Sequence, residues 1–289
     1  MKILVIGSGF IGTAIIQRLE LEGHELLVYS RTFSEKVHSK QVLVDILDFD
    51  DFEKMLSWDP QVVIHTAWIT AHGLYQNDFS NYRYARFTIK LAERIMHTGI
   101  EHLIVLGTCA EYGHQTNAST AGMTKLSPKN LYSVQKVAAF QAINELLKGS
   151  KVRLTWARVF QPYGPMQDKN RLIPYLIRSI KGGDLIRLSD SSSIRDWITT
   201  RDIASAIAWA INHQLTTEID IGTTFGFTNL EIMNHLEELL GKAVRWEQII
   251  SQTPAVKEFS IVGRDSPLPK SGWIPTDSLH NGLEWVLNS

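Results

Sequence analysis

Lys2-Ile3-Leu4-Val5-Ile6-Gly7-Ser8-Gly9-Phe10-Ile11-Gly12 is the stretch that decides the fold. Its apolar run predicts a buried strand, its GxGxxG glycines a turn, and Phe10–Glu22 an amphipathic helix with apolar residues at spacings of three and four. In such a unit the first glycine permits the tight turn, the second lets backbone approach a ligand, and the third lets helix pack on strand. The N–H groups at the helix start then face a pyrophosphate. A GxGxxG motif alone is a weak signal, and a glycine-rich turn without a ligand is the competing reading. The strand–turn–helix context is what the motif needs to carry meaning.

Outward from this unit the pattern repeats. Leu26–Ser30, Val42–Asp45, Val62–Thr66, Leu103–Gly107 and Val152–Arg158 read as strands. Asp48–Leu56, Asn81–His97 and Asn130–Leu147 read as the helices between them. Alternation of this kind predicts an α/β fold, a Rossmann-type doubly wound parallel sheet covered on both faces. Past Gly164-Pro165 the elements shorten, with helices expected at Arg171–Lys181, Arg201–Asn212, Asn229–Leu240 and Ser278–Leu287. We therefore expect a dinucleotide-binding domain over 1–165, rejoined by 195–222. Residues 166–289 would form mainly a smaller C-terminal α+β substrate-binding region.

Composition sets the outer limits. The 289 residues are 44% hydrophobic and 20% charged, with a formal net charge of −1, which suits a globular protein and gives no reason to expect nucleic acid or a membrane as partner. The single cysteine, Cys109, excludes an internal disulfide and fits a reducing compartment. No apolar run reaches the ~18–20 residues of a membrane span, and the N-terminus reads as a strand instead of a signal peptide, so a cytoplasmic location is expected. No His, Cys, Asp and Glu spacing suggests a metal site.

The end of the second strand bears on the cofactor. An acidic residue there would bond the ribose 2′-hydroxyl of NAD, whereas arginine suits the 2′-phosphate of NADP. Val28-Tyr29-Ser30-Arg31 has no carboxylate, so NADP(H) is favoured with NAD(H) as the alternative. Arg31 could equally be a solvated loop cation. Further along, Tyr132 and Lys136 are four apart on a predicted helix and share a face. An ammonium beside a phenol lowers the phenol's pKa and makes it usable as an acid or base. Chance alone produces many such pairs.

Leu106-Gly107-Thr108-Cys109-Ala110-Glu111-Tyr112-Gly113 follows a predicted strand and lies upstream of Tyr132-Ser133-Val134-Gln135-Lys136. Together these segments resemble the extended short-chain dehydrogenase/reductases, the NAD(P)-dependent epimerase/dehydratase family that modifies nucleotide-linked sugars. The likeness runs through nearly the whole chain. It includes Gly9-Phe10-Ile11-Gly12, Asp45-Ile46, His65-Thr66-Ala67, Asn81, Arg158–Pro165, Ile194–Ile198 with Asp202, and Gly272-Trp273-Ile274-Pro275. It implies that Tyr132 moves the proton of a sugar oxygen, that Thr108 orients that oxygen, and that Lys136 holds the nicotinamide ribose and tunes Tyr132. Gly7, Gly9, Phe10, Ile11, Gly12, Ser30, Arg31, Asp45, Ile46, Thr66 and Ala67 would complete the cofactor contacts. Substrate contacts would come from Thr108, Gln161, Arg171 and Arg195, the last on the diphosphate. The plain alternative for Arg195 is a salt bridge to Asp196 or Asp202. A homodimer through Asn81–His97 and Asn130–Leu147 is implied too.

Departures from the family pattern narrow the reaction. The glycine turn is one residue tighter than in many members, and Gln161 replaces the usual asparagine. Cys109 and Ala110 stand where 4,6-dehydratases carry Asp-Glu, and Ala110 lacks the carboxylate of decarboxylases. Only Tyr132, Thr108 and Lys136 remain, which serve either a 4-ketoreductase or a 4-epimerase. With Arg31, an NADPH-dependent reductase of a 4-keto sugar nucleotide is the leading expectation and an NAD-dependent 4-epimerase the alternative. A non-catalytic NADP-binding redox sensor is an alternative from another class, disfavoured because the Tyr–Lys pair is intact. Reduction of a carbonyl not carried on a nucleotide is disfavoured by Arg195-Asp196-Trp197. Cys109 is expected to be a packing residue, Trp58, Trp68, Trp156 and Trp246 core or pocket walls, and His65 and His114 satisfied structural histidines.

Overall fold

Lys2–Ile6 (β1) and Phe10–Leu21 (α1) begin the chain as expected, and the computed structural model describes residues 1–188, 190–216, 218–249 and 259–289. The following elements are Glu25–Ser30 (β2), Lys40–Leu43 (β3), Phe52–Leu56 (α2), Val62–His65 (β4), Ser80–Ile95 (α3), His102–Thr108 (β5), Leu131–Leu146 (α4) and Arg153–Val159 (β6). Then come Gln161–Tyr163 (β7), Leu172–Gly182 (α5), Ile186–Leu188 (β8), Ile194–Arg195 (β9), Trp197–Thr199 (β10), Thr200–Asn212 (α6) and Glu218–Ile221 (β11). Phe227–Thr228 (β12), Asn229–Leu240 (α7), Trp246–Gln248 (β13), Phe259–Ser260 (β14), Pro267–Lys270 (α8) and Leu279–Leu287 (α9) complete them.

Among the described residues the central sheet has seven strands in the order β11-β6-β5-β4-β1-β2-β3, all paired in parallel. A parallel strand is buried on both faces, which explains the unbroken apolar runs. Alternation still sorts the side chains of β1. Ile3 and Val5 join α1 and α6 on one side, while Leu4 and Ile6 join α2, α3 and α4 on the other. Helix α1 presents Ile15, Ile16 and Leu19 to Ile203, Ile207 and Ile211 of α6, each buried side chain contributing roughly 1.5–3 kcal/mol. A third apolar cluster joins α5, α7 and α9, with Ile173, Leu176, Ile232, Leu236 and Leu283 at its centre.

Two element boundaries differ from expectation. The helix expected from Asp48 starts at Phe52, because the Asp51 carboxylate accepts the Lys54 N–H and caps it there. The strand expected at Val42–Asp45 is Lys40–Leu43, paired to Leu27–Ser30, so Asp45 and Ile46 lie in the loop beyond it. Three buried aspartates tie the last part of the chain to what precedes it. Asp196 accepts the N–H groups of Thr223, Thr224 and Val262 and the Thr223 hydroxyl, although burial still pushes its carboxyl up to about 6. Asp202 accepts from Thr276 and Asp277, and Asp220 from Tyr112 and Ser266. Among the described residues no helix is long and apolar enough to cross a membrane.

Candidate active site

The turn after β1 is held from two sides. Gly7 has φ 107°, a left-handed conformation that side chains avoid, and its N–H donates to the Tyr29 carbonyl. The Thr66 hydroxyl donates to the Gly7 carbonyl at 2.9 Å, and the Ala67 N–H donates to the Ile6 carbonyl. A methyl at Gly12 would sit 2.2 Å from the Gly7 carbonyl oxygen, so helix and strand meet with no room to spare. A methyl at Gly9 would meet nothing within 4 Å. Gly9 is the N-cap of α1, no side chain caps this helix, and its first turn has no acidic residue. Helix N–H groups thus face an open space, the setting a pyrophosphate needs. Thr66 and Ala67 serve in this structure as braces of the turn.

At the end of β2, the Ser30 hydroxyl donates to the Thr32 carbonyl and Arg31 is exposed. Asp45 accepts the Leu47 N–H and is exposed, whereas Ile46 is buried beside it.

The three reactive side chains gather at the end of β5 and the start of α4. Helix α4 begins there because Asn130 and Ser133 cap it reciprocally, and the Tyr132 N–H donates to the Gln76 carbonyl. The Thr108 side chain is near enough to the Tyr132 hydroxyl to favour its ionised form. Tyr132 keeps part of its surface open, yet burial of its phenol is the larger effect and raises its pKa, with the neighbouring Thr108 side chain opposing. Lys136 is buried, donates to the Leu106 carbonyl at 2.5 Å, and lies 3.8 Å from the centre of the Trp68 ring. Burial lowers its ammonium to about 7, and the charge of Glu111 acts in the opposite direction.

Glu111 was not singled out by sequence reasoning. It is fully buried and accepts from the Thr108 N–H at 2.9 Å, from the Trp156 indole, and from Arg158 Nε at 2.7 Å. Arg158, fully buried as well, also pairs with Glu218 and borders Tyr112. Cys109 is buried at the site, with its sulfur 4.0 Å from Gln161 Nε2, and its thiol acts electrostatically on Tyr132. The packing residue expected there is therefore a neighbour of the reacting groups.

A wall of aromatic residues lies over Tyr132. Tyr75 meets its ring edge-on at 5.0 Å, and Trp68 approaches it at 6.4 Å. Asn81 fixes both by accepting the Trp68 indole N–H and donating to the Tyr75 carbonyl. Arg171 comes to this wall too. It lies 5.0 Å from the Tyr75 ring and donates to the Thr70 carbonyl.

Arg195 lies on β9 and pairs with Asp190 at 2.9 Å and with Asn229. Asp190 stands where the alternative reading of Arg195 had Asp196 or Asp202, whose oxygens accept from backbone and hydroxyl groups. His65 is the satisfied histidine expected on one side, bonded to Thr88 at 3.0 Å; burial lowers it to about 3, and its Nδ1 has no partner among the described residues. His114 is exposed instead of satisfied, and Trp246 is exposed on β13 instead of forming core. Among the described residues no group of three His, Cys, Asp or Glu side chains could hold a metal ion. Cavities of about 500 and 420 Å³ lie elsewhere, the first along Gly164–Gln167 and α5, the second around Phe225 and Trp273.

Comparison with known proteins gives a consistent result. Residues 3–222 match the pattern described as the NAD dependent epimerase/dehydratase family. A UDP-glucose 4-epimerase from Lactobacillus helveticus is 25% identical over 282 residues, covering 83% of this chain and 82% of that protein. The structure of a Thermus thermophilus UDP-glucose 4-epimerase in complex with NAD superposes with a TM-score of 0.89 at 24% identity, covering 100% of this chain and 98% of that one. A Bacillus anthracis dTDP-glucose 4,6-dehydratase with NAD gives a TM-score of 0.85 at 21% identity, covering 100% of this chain and 96% of that one.

Proposed function

From the chain's membership of the NAD dependent epimerase/dehydratase family, we propose that it is a nucleotide-sugar 4-epimerase using a nicotinamide dinucleotide. The observation that carries this reading is the set of side chains at the end of β5. Thr108 at the end of β5 stands by Tyr132 at the start of α4, with Lys136 buried one turn further on, while Cys109 and Ala110 leave no carboxyl pair for eliminating water. The similarity to 4-epimerases over most of the chain points the same way. Residues 1–165 with 195–222 would hold the dinucleotide, and 166–289 would supply mainly the sugar nucleotide's contacts, with Gln161, Arg171 and Arg195 among them.

The open helix start at Gly9 and the tight Gly7–Gly12 contact fit a dinucleotide pyrophosphate. A bound nicotinamide would accept a hydride from the sugar carbon and give it back. The chain's own task is proton transfer and positioning. Tyr132 takes the proton of the sugar hydroxyl as the carbonyl forms, and returns it when the carbonyl is reduced from its other face. Thr108 hydrogen-bonds the same oxygen. The Lys136 ammonium favours the phenolate and holds the nicotinamide ribose.

The 4-ketoreductase is the second reading, and one observation favours it. Buried Ser30 ends β2 and exposed Arg31 follows it, with no carboxylate there, which suits a 2′-phosphate. One experiment separates the two readings. The purified protein is analysed for copurified dinucleotide, and then incubated with UDP-glucose and followed by NMR for the C4 epimer. Retained NAD and product without added reductant is the expected result. If instead the protein binds NADPH much more tightly than NADH, loses that preference in Arg31→Ala, and is silent with UDP-hexoses, the reductase reading takes its place.

Assembly into a homodimer belongs to this proposal. Phe79 and Tyr82 at the start of α3 and Val134 on α4 are exposed, and the two helices pack side by side. Equilibrium sedimentation is expected to give the mass of two chains at micromolar concentration. A monomer mass there would remove the dimer from the proposal.

A further inference from the structure

We propose that Glu111, outside the contacts made to substrate, is a positioning residue that fixes the Thr108 backbone and supplies the negative charge balancing the buried Lys136 ammonium. The inference rests on the reading of Thr108, Tyr132 and Lys136 as the reacting set.

The geometry places one carboxylate behind two of these groups. One oxygen of Glu111 accepts the Thr108 N–H at 2.9 Å, and so holds the end of β5 where the Thr108 side chain turns toward Tyr132. Thr108 returns a bond to the Ala110 N–H, closing a reciprocal cap around the turn Cys109–Tyr112. Lys136 is bound two residues earlier on the same strand, through the Leu106 carbonyl. Between these attachments lies Trp156, whose indole N–H donates to Glu111 and whose ring centre is 5.9 Å from the Lys136 nitrogen. Gly107 leaves the space for this arrangement. A methyl there would come within 2.4 Å of the Trp156 indole nitrogen and 2.7 Å of the Glu111 oxygen.

The surroundings of Lys136 give the charge a purpose. Around its nitrogen stand a carbonyl, the Trp68 face and the Trp156 ring, none of which carries a full negative charge. An ammonium buried this way tends to lose its proton. Glu111 attracts it; burial raises the pKa of Glu111 itself, and the Arg158 charge opposes that rise and favours the carboxylate. His65 is held neutral by burial, its pKa near 3. Arg158 faces Glu111 from β6, with Glu218 behind it, and Tyr112 links Arg158 to Asp220. Tyr132 stands on the same helix as Lys136 and also feels Glu111, which raises its phenol slightly against ionising. The carboxylate therefore favours the protonated lysine at a modest cost to the phenolate.

The test reads Lys136 directly. The protein is labelled with ε-13C-lysine, the Lys136 resonance is assigned with Lys136→Met, and its titration is followed by NMR in wild type, Glu111→Gln and Glu111→Asp. In Glu111→Gln the midpoint is expected to fall by about one pH unit or more, a tenfold change in the protonation equilibrium. The basic limb of the pH–rate profile should move down with it. Glu111→Asp keeps the charge one methylene farther away, and its midpoint should fall less than half as far. An unmoved midpoint in folded Glu111→Gln overturns the proposal, as does an equal fall in both variants, which would mean packing and not charge. If the glutamine variant does not fold, the carboxyl 13C shift of Glu111 in the wild type decides. Ionised Glu111 at neutral pH is required, and a protonated carboxyl there sinks the idea. Neither titration needs turnover, so an inactive wild type would remove the epimerase reading without touching this result.

Discussion

Tyr132→Phe is expected to lower turnover by ~10²–10⁴-fold while leaving dinucleotide binding intact, the loss typical of removing a general acid–base group. The phenol is the one group of the reacting set that can both take and return a proton in the positions described. Thr108 already accepts the Ala110 N–H, and Lys136 is turned to the Leu106 carbonyl. The phenylalanine ring keeps the edge-on contacts with Tyr75 and Trp68, so the wall above the site should survive. Calorimetry with the dinucleotide and a rate measurement on the same preparation check both halves. Near-normal turnover would take Tyr132 out of its role.

Arg158→Met is expected to cost about 3–5 kcal/mol of folding stability, measured by denaturant unfolding of variant and wild type. Methionine approximates the length of the arginine stem, and the guanidinium's contacts with the Tyr112 and Phe140 rings go with the charge. What disappears is the cation that pairs with fully buried Glu111 and with Glu218. A carboxylate left without its partner in the interior bears its whole desolvation cost or takes up a proton. A loss under about 1 kcal/mol would mean that Glu111 is already neutral when paired, contrary to the charge assigned to it.

Much of this site was legible in the residues. The glycine turn, the Tyr132–Lys136 pair and Thr108 each sit beside a strong periodic element, and local pattern is what a sequence displays best. The reading stopped where the deciding partner is distant. Glu111 looks like one polar residue in a loop until Arg158, far along the chain on β6, and Trp156 close around it. Asp190 was missed as the partner of Arg195 because Asp196 and Asp202 are just as near in sequence, and only the fold assigns those two to backbone N–H groups. The two- and three-residue strands β7 to β10 and β12 to β14 are too short to show a period at all. Arg31 remains a residue whose meaning depends on what is bound beside it.

The position of β11 in the sheet has a consequence for how the molecule is made. This edge strand pairs with β6, yet the chain runs through β7, α5 and α6 before reaching it. While the nascent chain emerges from the ribosome, β6 is therefore an open edge, its N–H and C=O groups unpaired, until Glu218–Ile221 arrives. Arg158, too, lacks Glu218 for all of that interval. The elements β7 to α6 have to be synthesised before the sheet can be finished. Closing so long a loop is an entropic cost that this last pairing has to bear.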